Sequence, residues 1–140
     1  MHVTPYLTYD GTAEQAFQHY ARVLGGKIEL LTRYGEAPAG SGCDDLSEAD
    51  QRKVMHVSLS GKDFMLMASD ANALYPYEGV KGISVSLNLE SANEAERVFA
   101  GLAEGGKITM PLQATFWAES FGCVTDAWGV PWMINVPKQG

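Results

Sequence analysis

The sequence predicts an α+β fold of two βαβββ modules, whose four-stranded sheets curve around a shared cavity. Three observations predict it. A strand–helix–three-strand order occurs twice within 140 residues. The two helices open alike, Thr12-Ala13-Glu14-Gln15-Ala16 and Ser91-Ala92-Asn93-Glu94-Ala95, 79 positions apart, and Tyr20-Ala21 falls on Phe99-Ala100 at the same spacing. They also close alike, Gly25-Gly26-Lys27-Ile28 and Gly105-Gly106-Lys107-Ile108, now 80 positions apart after a one-residue insertion. Helix-capping chemistry alone would make such ends resemble each other, but it does not impose the order of strands around them. Residues 1–70 form the first module, 82–137 the second and 71–81 the connecting loop of one domain spanning 1–140. A module of this size is too small to close a core alone, whereas two facing sheets can.

The elements follow in order. Residues 3–9 alternate as a strand, with Pro5 marking an edge or an irregular start. Thr12 opens a helix with Gln15 as its capping-box partner. Ala16, Phe17, Tyr20, Val23 and Leu24 keep helical spacing until Gly25-Gly26 stops it. A strand over 27–34 precedes a Gly-, Pro-, Ser- and Asp-rich loop at 35–51. Strands 53–59 and 64–69 then form a hairpin through Ser60-Gly61-Lys62-Asp63. The second module repeats the pattern: a strand at 83–89, a helix capped by Ser91 with Glu94, and strands at 107–110, 116–125 and 130–136.

Charge and composition narrow the function. A net charge of −7, with ten basic residues scattered rather than clustered, opposes binding to nucleic acid or to anionic membranes. No apolar run approaches the roughly 20 residues of a membrane span. Met1-His2-Val3-Thr4-Pro5 lacks the basic and apolar regions of a secretion signal. Cys43 and Cys123 form neither a CxxC pair nor a disulfide framework, so a cytoplasmic location is expected. Cys123 lies in a strand-like run and reads as a packed thiol.

Near the C-terminus, Phe116-Trp117-Ala118-Glu119-Ser120-Phe121-Gly122-Cys123-Val124-Thr125-Asp126 leads into Ala127-Trp128-Gly129-Val130-Pro131-Trp132-Met133-Ile134-Asn135. This stretch resembles the W-x-x-x-F-G-x-v-x-D-x-x-G-x-x-W-x-x-N signature of PhnB-like proteins. Pro5 to Gly11, Val54-Met55-His56 and Met65 to Asp70 extend the resemblance over nearly the whole chain. PhnB-like proteins belong to the vicinal-oxygen-chelate superfamily of glyoxalase I, bleomycin-resistance proteins and extradiol dioxygenases. Membership implies the paired βαβββ fold already read from the repeat.

The resemblance also implies a divalent ion, held by His and Glu side chains, that chelates two adjacent substrate oxygens. The four ligand positions fall here near Pro5, His56, Ser84 and Met133, of which only His56 is a good ligand. His2 would reach the first position only through a shift of register. The usual metal tetrad is therefore not visible, and His56 remains the one metal-ligand candidate. Some relatives carry a ubiquinone-methyltransferase label, but no Gly-rich turn for a nucleotide-type methyl donor stands between a strand and a helix.

Six residues are candidates for binding a ligand: Tyr6, His56, Trp117, Glu119, Phe121 and Asn135. Alternation puts Tyr6 on one side with Thr4 and Thr8, and His56 with Val54 and Ser58. His56 suits a base, a hydrogen-bond donor or a metal ligand, and equally a histidine bonded to a neighbouring strand. Trp117, Glu119 and Phe121 share a face, although a solvent-facing Glu119 is the simpler expectation. Trp132 and Ile134 alternate with Met133 and Asn135, so the last strand reads as buried on both sides. Methionines at 55, 65, 67, 110 and 133 offer an adaptable apolar lining, or ordinary core packing.

No nucleophile motif, HExxH or phosphate loop is present. The expected function is small-molecule binding in an apolar, aromatic cavity. A metal-dependent lyase, isomerase or dioxygenase with a divergent ligand set is the first alternative, and a non-catalytic interaction protein the second. A homodimer is the expected assembly.

Overall fold

The structure, a computed structural model, describes residues 1–139. The chain divides into two compact units, Met1–Gly79 and Val80–Gly140. In the first, β1 (Tyr6–Tyr9), α1 (Ala13–Leu24) and β2 (Lys27–Arg33) are followed by a 3-10 turn at Tyr34–Glu36 and a short α2 (Glu48–Gln51). Strands β3 (Val54–Gly61) and β4 (Phe64–Asp70) complete it. The second contains β5 (Val85–Asn88), α3 (Ala92–Ala103), β6 (Lys107–Gln113), β7 (Ala118–Thr125) and β8 (Pro131–Pro137).

Each unit forms a four-stranded sheet of the same topology, β1-β4-β3-β2 in one and β5-β8-β7-β6 in the other. The first strand pairs in parallel with the last, and the remaining pairs are antiparallel. The repeat reaches the irregularities. Glu29 bulges out of the pairing between Ile28 and Leu30, and Thr109 bulges between Ile108 and Met110, 80 positions later. The paired glycines do the same work twice. Gly25 and Gly105 take left-handed φ of 76° and 73°, which ends each helix. A Cβ on Gly26 would meet the Ser60 carbonyl oxygen at 3.0 Å, and one on Gly106 would overlap the Thr125 carbonyl oxygen. The chain can therefore start β2 and β6 tight against β3 and β7.

One face of each sheet packs on its helix. Phe17, Tyr20 and Val23 of α1 bury against Leu7, Tyr9, Val57, Leu59 and Leu66. Val98, Phe99 and Leu102 of α3 bury against Val124, Trp132, Ile134 and Val136. Burying each such large side chain contributes about 1.5–3 kcal/mol.

Several sequence expectations are corrected. Thr12 makes no side-chain cap, and the capping box with Gln15 is absent. The Ala13 N–H, at the first helical position, donates to Asp70 Oδ1 at 2.9 Å, a partner 57 residues away. At the equivalent place in the second unit, Ser91 Oγ does accept the Glu94 N–H. The 35–51 loop contains the 3-10 turn and α2, which Ser47 caps by accepting the Asp50 N–H. Strand β6 runs on to Gln113 through Pro111, tolerated because β6 is an edge strand and irregularly paired between Met110 and Gln113. Strands β1, β5 and β7 start later than expected, at Tyr6, Val85 and Ala118. Among the described residues, no helix is long and apolar enough to cross a membrane.

Candidate functional site

The face of each sheet away from its helix carries the chemically interesting residues. In the first unit, register aligns Tyr6, Met67, Ser58 and Leu30 in one row across all four strands. Tyr6 Oη and His56 Nδ1 lie 3.0 Å apart, a hydrogen bond in which the phenol donates when Nδ1 is unprotonated. The two ring centres are 5.7 Å apart, and Tyr6 is half exposed. His56 does not share its face with Val54, as simple alternation suggested. Thr32 opposes His56 while Arg33 opposes Val54, so Met55 is an extra residue that turns Val54 into the core at 1% exposure.

Behind this face Asp70, 2% exposed, ties three elements together. Its carboxylate accepts from the N–H groups of Ala13 and Val54, and its carbonyl accepts the Tyr34 hydroxyl at 2.6 Å. Burial pushes the Tyr34 phenol above its ordinary pKa.

In the second unit the C-terminal signature separates into two sets. One set builds the β7–β8 hairpin. Asp126 Oδ1 accepts from the Trp128 and Val130 N–H groups, and its Oδ2 accepts from Trp132 Nε1 at 2.8 Å. Gly129 takes a φ of 89° in that turn. Gly122 lets Phe99 and the β6 backbone approach, since a Cβ there would stand 2.7 Å from the Phe99 ring and 2.9 Å from Leu112 Cα. The other set, Trp117, Phe121 and Asn135, lies on the helix-free side. Trp117 precedes β7, with its ring edge-on to Phe121 at 5.4 Å and to the exposed Phe116 at 4.8 Å. Phe121 opposes Asn135, whose Nδ2 donates to Asn88 Oδ1 at 2.9 Å and whose own Oδ1 is buried without a partner.

Two expectations are revised in this unit. Strand β8 is not buried on both sides, because Met133 is 37% exposed while Trp132 and Ile134 are enclosed. Simple alternation does not carry through Trp117, Glu119 and Phe121, and Glu119 is exposed, the simpler of its two readings. It is the extra residue where the pairing shifts between Ala118 and Ser120, and it faces an open depression of about 400 Å³ with Ala114, Lys138 and Gln139. Sequence reading missed Asn88 and Asp70, because nothing local marks either as the partner of a residue about fifty positions away.

The fold is that of the glyoxalase/bleomycin-resistance/dioxygenase superfamily. A glyoxylase/bleomycin resistance protein/dioxygenase domain from Frankia sp. EAN1pec shares it at TM-score 0.70 and 13% identity, over 100% of this chain and 93% of that one. The model of the 3-demethylubiquinone-9 3-methyltransferase family matches residues 1–135, and the chain belongs to that PhnB-like family. It is 35% identical to Protein YjdN of Escherichia coli (strain K12), over 99% of this chain and 97% of the relative. Protein PA1353 from Pseudomonas aeruginosa matches at 45% identity and TM-score 0.87, covering 99% of each chain. The PhnB protein from Bacillus cereus matches at 25% and 0.77, over 97% of this chain and 99% of that one.

Neither group that these relationships imply fits the residues present. For a divalent ion, three of the four expected positions are poorly furnished: proline has no side-chain donor, the serine hydroxyl is a weak neutral one, and the methionine thioether suits soft metals. His56 has Tyr6 on Nδ1, and the described residues contain no group of three His, Cys, Asp or Glu placed to hold a metal. For a nucleotide-type methyl donor, the strand-to-helix junctions Asp10-Gly11-Thr12 and Leu89-Glu90-Ser91 lack a Gly-rich cradle.

Proposed function

We propose that this protein binds a small apolar or aromatic molecule and does so without a divalent-metal chelate. One observation carries the reading. Of the residues in the C-terminal signature, Gly122, Asp126, Gly129 and Trp132 are used in building the hairpin, whereas Trp117, Phe121 and Asn135 line the sheet face away from the helix. Edge-to-face rings offer a flat ligand a stacking surface, and the Asn135–Asn88 amides offer it polar contacts that fix orientation. Tyr6 and His56 are a second polar pair on an equivalent face, suited to hydrogen bonding or proton transfer. Glu119, exposed at the depression, is the weakest of the candidates.

The proposal includes a homodimer and a cytoplasmic location. Large exposed apolar side chains, Leu74 and Tyr75 among them, are available for an interface. Sedimentation would detect the dimer as twice 15.2 kDa.

The test is fluorescence titration of the full chain with a panel of flat aromatic compounds, with Trp117→Phe and Asn135→Leu variants in parallel. Saturable quenching that is lost with Trp117 and weakened with Asn135 is expected. No saturable change across the panel at millimolar concentration would refute the reading. Mass spectrometry of protein purified without tag or chelator tests the absence of the chelate. Near-stoichiometric divalent metal that disappears in His56→Ala would overturn that half of the proposal.

A further inference from the structure

We infer that the helix-free face of the second sheet carries a soft-metal site, in which Cys123 binds a monovalent ion such as Cu(I) between the thioethers of Met110 and Met133. Strand register places the three together. Met110 on β6 opposes Cys123 on β7, and Cys123 opposes Met133 on β8, so three sulfur residues stand in one row across adjacent strands. Their common face follows from burial: Gly122 and Val124 beside Cys123, and Trp132 and Ile134 beside Met133, all point to the helix side. Directly opposed residues have Cβ atoms about 4.5–5.5 Å apart, and methionine has three rotatable bonds, so both thioethers can reach an ion on the central thiolate. Met110 and Met133 are 39% and 37% exposed, which leaves the row accessible.

One thiolate with two thioethers is a soft donor set. It favours Cu(I) over zinc, which binds thiolate but takes thioether poorly, and over nickel and manganese, which prefer imidazole or oxygen donors. The row shares only Met133 with the four divalent-ligand positions of the superfamily, and it does not depend on the ligand-binding reading. On binding, the Cys123 S–H bond breaks, the sulfur–metal bond forms and the proton passes to solvent. Burial pushes the Cys123 thiol above its ordinary pKa, so affinity rises with pH by about tenfold per unit below that pKa.

The test uses the full chain with Cys43→Ser, leaving Cys123 as its one thiol. Cu(I) is presented anaerobically against a chromophoric Cu(I) chelator. One equivalent is expected to bind. Met110→Leu and Met133→Leu, near-isosteric changes that preserve the fold, should each weaken binding tenfold or more. Cys123→Ser should abolish it, and equimolar Zn(II) should displace nothing. Methionine variants that bind as tightly as the parent would reduce the site to a bare thiol and overturn the inference. Failure of the parent to compete with the chelator, or displacement by Zn(II), would overturn it equally.

Discussion

Replacing Asp70 tests whether one buried carboxylate organises the first unit. Its two oxygens accept from Ala13 and Val54 at 2.9 Å each, joining the start of α1 to the start of β3 from the end of β4. Asp70→Ala strands both N–H groups. Each unsatisfied buried donor costs about 1–3 kcal/mol, giving about 2–6 kcal/mol in all, with the lower end reached if water enters the space. Asp70→Asn keeps one acceptor but turns an amide N–H toward the other donor, so it should cost about 1–3 kcal/mol. Urea denaturation followed by far-UV circular dichroism measures both. Thr12→Ala is the control, because its hydroxyl caps nothing, and should change stability by less than about 0.5 kcal/mol. The reasoning is refuted if Thr12→Ala costs the roughly 1 kcal/mol of a lost cap while Asp70→Asn costs nothing.

Four further outcomes follow from the packing and electrostatics of the structure. Gly106→Ala should destabilise by about 2–3 kcal/mol in urea denaturation, because the new Cβ meets rigid backbone at Thr125 and Asp126. Gly26→Ala, crowded partly by the yielding Leu59 side chain, should cost about 1 kcal/mol or less once the lower chain entropy of the unfolded state is included. The Asp50 carboxylate is held below its ordinary pKa, first by its hydrogen bond with Lys53 and then by the Ala73 N–H. Its contribution is therefore complete above the ordinary carboxyl pKa and lost as pH falls through the depressed value, so Asp50→Asn should flatten the acid limb of the stability–pH profile. The raised pKa of Cys123 should make its alkylation at pH 8 slower than that of a model thiol, with a rate–pH midpoint above the ordinary thiol value, as read by mass spectrometry.

What the sequence made legible was local or periodic. Helix ends, paired glycines and strand order each depend on a few neighbouring residues, which is why the repeat could be read at an offset of 79 or 80. The misses had long-range causes. Thr12 with Gln15 satisfies the capping pattern, yet Thr12 sits at φ −120° and ψ 15°, outside the extended backbone of an N-cap, and the helix start is held from across the sheet, where Asp70 takes the Ala13 N–H. Alternation failed at Val54, because an extra residue reverses the faces beyond it and nothing in Val54-Met55-His56 announces a bulge. The two-sided burial expected of β8 failed because Met133 and Asn135 are apolar or neutral enough to read as core, while their exposure depends on what covers that face.

The same division explains why the superfamily resemblance was strong and the function was not. The residues that carry recognition near the C-terminus are mostly those that build a hairpin: an aspartate taking two turn N–H groups and an indole, and glycines where a Cβ would clash. Such constraints travel with the fold, whatever ligand it serves. Chemistry depends instead on side chains that the fold leaves unconstrained, and at three of the four divalent-ligand positions this chain has proline, serine and methionine. If, as proposed, that face holds no hard ion, it can accept rings, amides and sulfur without cost to the hairpin behind it. On the proposals above, function is to be sought in Trp117, Phe121, Asn135 and the Met110–Cys123–Met133 row, because the other signature residues, Gly122, Asp126, Gly129 and Trp132, are occupied in building the hairpin.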